Sequence, residues 1–164
     1  MKLVFFVAVL AVSLCGQQSA QPSLAPIRAE AKRAFTAEMD RAAKGDCPNT
    51  LITSAAVNEC YEAALTQSES NLKAFRAAIR MSIEARLHLF GSLLLKHFEL
   101  SERAWDVYCV EQPQVTADMV DNPDDRSGSA AATRINLIRS HMRNLDKIYY
   151  ILLHDNCGAC LTDE

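Results

Sequence analysis

Residues 53–109, TSAAVNECYEAALTQSESNLKAFRAAIRMSIEARLHLFGSLLLKHFELSERAWDVYC, decide the fold. Apolar residues fall at Leu72, Phe75, Ile79, Ile83, Leu87, Phe90, Leu94 and Phe98, then at Trp105 and Tyr108, in steps of three, four or seven. That is the period of a helix, not the alternation of a strand. Between Leu87 and Leu95 the stripe widens to include Leu89, Leu93 and Leu95, more than one partner helix would cover, so partners on two sides are expected. Thr53 or Ser54 is placed to cap the start, because a side-chain oxygen accepts from the free amides of the first turn. No proline interrupts the run before Pro113, and Gly91 is the expected kink or break.

Working outward, Pro22 and Pro26 mark a linker into a first helix over Ile27 to Lys44, with Ala31, Ala34, Phe35 and Met39 on one face and Gly45 as its stop. Asp46-Cys47-Pro48-Asn49 is a turn into the long run. On the other side, Gln112 to Ser129 carries Pro113, Pro123, Gly128 and the acidic group Asp121, Asp124 and Asp125, and reads as a long loop. Ser127 or Ser129 then caps a last helix over Ala130 to Leu153, whose Ile135, Ile138, Met142, Leu145, Tyr149 and Leu152 form a seam for lengthwise packing. Asp155 to Glu164 is a polar tail. The fold class is therefore all-α: a small, disulfide-stabilised helical domain with one long central helix, continuous or kinked, flanked by two shorter ones.

The first residues speak to compartment. Lys2, the apolar run Leu3 to Leu14 and the small and polar residues after it read as a secretory signal peptide over residues 1–20, leaving residues 21–164 as a single domain. Cys15 raises lipid anchoring as a rival, but Leu14 stands before it where lipoprotein signals take a small residue. No later stretch is a long enough apolar span to cross a bilayer. The formal charge of −3 becomes −4 once Lys2 is removed, which weighs against nucleic acid and toward a basic partner.

Chemistry-bearing motifs are few. Cys157-Gly-Ala-Cys160 has the spacing of redox thiols, yet it follows a helix rather than opening one, so a structural clip is the better reading. His154 with these cysteines supplies three soft ligands, one short of a closed zinc site. His88 and His97 are nine residues apart on the long helix, on opposite faces, and cannot share a metal. No carboxylate pair is set apart for acid–base work, and Trp105 is expected to pack under the last helix. No cofactor is implied.

Thr-Ser-Ala-Ala-Val-Asn-Glu-Cys over Thr53 to Cys60, Glu69-Ser-Asn-Leu72, and Ser-Glu-Arg-Ala-Trp over 101–105 with Tyr108 resemble the lysozyme inhibitor LprI-like N-terminal domain family. The matching positions are Cys47, Thr53, Cys60, Glu69, Leu72, Arg103, Ala104, Trp105 and Tyr108, and Ser127 to Ala130 resembles the family's Gly-Gly-Ser loop. The resemblance spans residues 46–150 and departs from the family at Lys73, Arg76 and Cys109. It implies a secreted or periplasmic, non-enzymatic helical domain that binds a lysozyme-type muramidase. Lysozymes are commonly basic and cleave with a carboxylate pair in a cleft, so Asp121, Asp124 and Asp125 are the candidate docking residues. The rival readings are an envelope interaction module without inhibitor activity and a thiol–disulfide or metal protein using the terminal cysteines.

Beyond Cys15 five cysteines remain: Cys47, Cys60, Cys109, Cys157 and Cys160. The preferred bridge is Cys60 to Cys109, which requires the long run to break near Gly91 or earlier, because a straight helix would hold those sulfurs roughly 70 Å apart. With a continuous helix, Cys47 or Cys60 would pair with Cys157 or Cys160 instead.

Overall fold

The long run folds back on itself. A computed structural model describes residues 23–154, with the backbone alone for 87–91, and among these residues it contains α-helices and no strand. The helices are α1 (Ala25–Lys44), α2 (Ser54–Glu84), α3 (Leu87–Asp118), α4 (Arg126–Ile148) and the short α5 (Tyr150–Leu153), with a 3-10 turn at Pro123–Asp125. Residues 1–20, with the signal-peptide reading and Cys15, lie outside the described residues, as do Cys157 and Cys160.

The break falls at Ala85–Arg86, five residues before Gly91, and Gly91 itself lies inside α3. Ala85 N–H donates to the Met81 carbonyl and Arg86 N–H to that of Ile83, and Arg86 then leaves helical geometry at φ −119°, ψ 22°. Neither residue is a helix breaker. What ends α2 is tertiary: the apolar face around Ile79, Ile83, Leu94, Leu95 and Phe98 is covered only if the chain reverses.

The helix directions follow from their contacts. Phe35 packs on Phe75 at a ring-centroid distance of 5.6 Å while Asn71 bonds Glu38, so α1 is antiparallel to α2. Arg76 pairs with Asp106 and Arg80 with Glu99, which sets α3 antiparallel to α2. Phe98 meets Tyr149 edge-on at 5.5 Å while Trp105 stacks on His141, which sets α3 antiparallel to α4. The result is an up-down-up-down bundle in which α2 is central, touching α1, α3 and α4. Phe75, Ile79, Ile83, Ile135, Ile138 and Met142, each under 2% exposed, form its middle.

Two local features match the sequence. Thr53 Oγ1 accepts from Ala56 N–H at 3.2 Å, capping α2, and Gly45 takes φ +84° after α1, a conformation that favours glycine. The expected loop over 112–129 is corrected. α3 continues through Pro113 to Asp118, because Pro113 and Ala117 are buried and their packing offsets the lost helical donor. α4 starts at Arg126 rather than Ala130, with no side-chain cap from Ser127 or Ser129. A turn of a few residues replaces the long connector. Leu93 and Tyr108, assigned to the core stripe, are 61% and 49% exposed because the reversal leaves α3 with one outward face.

Candidate binding surface

The acidic turn is built by two anchors. Asn122 Oδ1 accepts from Asp124 N–H at 3.2 Å, an Asx cap that closes the 3-10 turn, and Asn122 Nδ2 donates to Asp125 Oδ2 at 2.8 Å. From α2, Asn58 reaches across: its Nδ2 donates to the Asp124 carbonyl, and its Oδ1 accepts from Gly128 N–H at 2.9 Å. Gly128 permits this approach, since a Cβ there would collide with Asn58 Oδ1. The backbone of the turn is thus fixed while Asp121 and Asp124 project as exposed carboxylates with no ion pair among the described residues, and Asp125 is half-buried. Asn58 was not singled out by the sequence reading, because an Asn in the first turns of a helix looks like any solvated residue.

Beside this turn lies the disulfide. Cys47 and Cys60 are bonded, so neither expected pairing holds: Cys60 does not bridge Cys109, and neither Cys47 nor Cys60 is left for the tail. Thr53 capping places α2 so that the Asp46–Asn49 turn returns Cys47 to within 5.9 Å, Cα to Cα, of Cys60. The run does break as the Cys60–Cys109 pairing demanded, but α3 carries Cys109 to a different level of the bundle. Cys109 is a buried free thiol. Burial pushes its pKa up against the pull of Arg134 and Arg76, so it stays protonated and unreactive at neutral pH.

Under the disulfide sits a balanced set of buried charges. Glu38, fully buried on α1, accepts from Ser68 and Asn71 at 3.0 and 2.9 Å, from Arg139 at 3.0 Å, and from Arg41. Arg139 also donates to both oxygens of Asp46 at 2.8 and 2.6 Å, and Arg41 pairs with Asp46 as well. Burial raises the Glu38 carboxyl, but the hydrogen bonds from Arg41, Asn71 and Ser68 outweigh it and hold the group below the usual glutamate range. These residues were also missed, although a signal was present: Glu38 follows Ala31 and Ala34 on the core face of α1, where an unpaired charge would not be tolerated.

The motif residues divide. Glu69, Leu72 and Trp105 line one cleft of about 280 Å³ between α2, α3 and α4, together with Cys109, where the chain departs from the motif, and Glu69 pairs there with Arg134 at 2.7 Å. Trp105 packs under α4 as expected, stacked on His141 at 4.2 Å with the Arg76 guanidinium 4.8 Å over its ring. His141 Nε2 lies 3.0 and 3.1 Å from the two oxygens of Glu102, which also pairs with Arg76. Arg103, Ala104 and Tyr108 instead face solvent on α3. His97 is exposed, and His154 bonds Asp146 at 2.9 Å. Among the described residues no group of three His, Cys, Asp or Glu is gathered to hold a metal, and no helix is long and apolar enough to cross a membrane.

The class defined by these observations is a disulfide-linked, all-α up-down bundle. Compared with known proteins, the chain matches no family model, no curated protein and no solved structure.

Proposed function

We propose that this is an exported, non-enzymatic binding protein that docks on a basic lysozyme-type muramidase through its acidic turn and occludes the muramidase cleft. The observation that carries the reading is the turn itself: Asp121 and Asp124 are exposed and have no ion pair among the described residues, on a backbone held by Asn58 and Asn122, so little ordering is needed on binding. The resemblance over residues 46–150 supplies the target class, and the Cys47–Cys60 disulfide favours an oxidising compartment.

Complementary charge raises the encounter rate, so association slows as salt increases. Asp121→Asn, Asp124→Asn and Asp125→Asn together should lower the association rate about tenfold at low salt and leave dissociation nearly unchanged. The test is turbidity clearance of cell walls by lysozyme with a molar excess of this protein, paired with low-salt calorimetry. Undiminished clearance with no heat of binding refutes the reading and leaves an envelope interaction module without inhibitor activity. Binding without inhibition keeps the docking surface and discards occlusion.

A further inference from the structure

The outward face of α3 carries an apolar stripe that nothing in the bundle covers. Leu93, Leu100, Val107 and Val115 are 61%, 46%, 65% and 51% exposed, and their spacing of seven, seven and eight keeps them within one narrow sector of the helix. Ala104, also exposed, sits in the middle of the stripe. At 1.5 Å per residue the stripe runs about 33 Å, long for a solvent-facing strip of a monomer.

Charges along the same face are polarised. Lys96 lies toward the amino end, Arg103 at the middle, and Glu111 and Asp118 toward the carboxyl end, all four exposed. Lys96 and Glu111 have no ion-pair partner among the described residues. A membrane surface is a poor match for this pattern, since interfacial helices flank their apolar face with cations rather than set Glu111 within it. A reversed copy of the same helix is a good match.

We infer that α3 is the homodimer interface, pairing antiparallel with α3 of a second copy about a two-fold axis between Arg103 and Ala104. In that register Leu100 of one copy meets Val107 of the other, and Lys96 meets Glu111, each contact made twice by symmetry. Ala104 at the axis lets the two helices approach to the roughly 8–10 Å of ordinary packing. The acidic turns lie beyond the ends of the paired stripes and stay free, so this inference does not rest on the muramidase reading.

Sedimentation velocity on the protein, over a concentration series, tests it. The expected result is a reversible monomer–dimer equilibrium, abolished by Leu100→Glu with Val107→Glu while helicity is unchanged and the melting temperature matches that of the protein diluted to monomer. Lys96→Glu or Glu111→Lys alone should weaken dimerisation about tenfold, because two attractive pairs become repulsive, and the double swap should restore it. A monomer at every concentration overturns the inference. So does a dimer insensitive to both single swaps, or one that the double swap fails to restore.

Discussion

Two buried polar clusters hold the bundle, and they are built differently. At the disulfide end, Glu38, Arg41, Asp46 and Arg139 join α1, the turn after it and α4, with the Glu38 and Arg139 side chains 0% and 9% exposed. Farther along, Arg76, Glu102, His141 and Trp105 join α2, α3 and α4, and their outer member Asp106 is 57% exposed. The first has two cations against two carboxylates with the hydrogen bonds of the central carboxylate filled by Ser68 and Asn71. The second opens to water on one side, where solvent replaces lost partners. Removing a member should therefore be costly in the first cluster and moderate in the second.

Glu38→Ala should produce the largest effect, about 3–5 kcal/mol, because it leaves two largely buried guanidinium groups sharing the single carboxylate of Asp46 and takes the acceptor from Ser68 and Asn71. Chemical denaturation of the variant checks it, and a loss under about 1 kcal/mol would erase the distinction between the clusters. The same carboxyl predicts an acid limb. Its folded pKa is depressed, so its stabilisation is complete above the ordinary range near pH 4.3 and is lost as pH falls through the folded value. In Glu38→Gln the limb should flatten, since that group no longer titrates.

Next in size is the covalent link at the same end. Replacing Cys47 and Cys60 together with Ser should cost about 3 kcal/mol, the scale for a loop of roughly fifteen residues. Cys60 Sγ also lies 3.6 Å from the Asp46 carbonyl, which ties the bridge to the first cluster. The cost should therefore fail to add to that of Glu38→Ala, and additive losses in a double-variant cycle would separate the two. Trp105→Ala follows at about 2–3 kcal/mol, below the value for a fully buried tryptophan because the ring is half-buried. A loss as large as that of Glu38→Ala would show that the second cluster is as unforgiving as the first.

Much of this was legible in residues. The helical period of 53–109, the Thr53 cap and the Gly45 stop are local, and local chemistry set them. The reversal at Ala85–Arg86 was not, because no residue there breaks a helix and the cause is the burial of the Phe98 face against Ile83. Pro113 misled for the same reason: its intrinsic cost is local, and the burial that offsets it is not. The acidic group Asp121, Asp124 and Asp125 stands out in the sequence, but the Asn58 anchor that orders its turn joins positions 70 apart in sequence, a distance no pattern spans.

Ser82 gives the smallest effect and the opposite sign. It lies on α2 at 0% exposure, and its hydroxyl has no hydrogen-bond partner among the described residues, unlike Ser68 about four turns earlier on the same helix, which bonds Glu38 at 3.0 Å. A buried hydroxyl without a partner carries its desolvation cost unreturned, and alanine is the better helix former, while deleting one oxygen leaves a negligible void. Ser82→Ala should therefore stabilise by about 0.5–1 kcal/mol, whereas Ser68→Ala, which removes a satisfied donor to a buried carboxylate, should destabilise by about 1–2 kcal/mol. Paired thermal and urea unfolding of the two variants decides it. Opposite signs establish that satisfaction, rather than burial, separates the polar positions of α2. A loss of stability in both would mean that the Ser82 hydroxyl finds a partner in solution, and the contrast between satisfied and unsatisfied sites on this helix would fall.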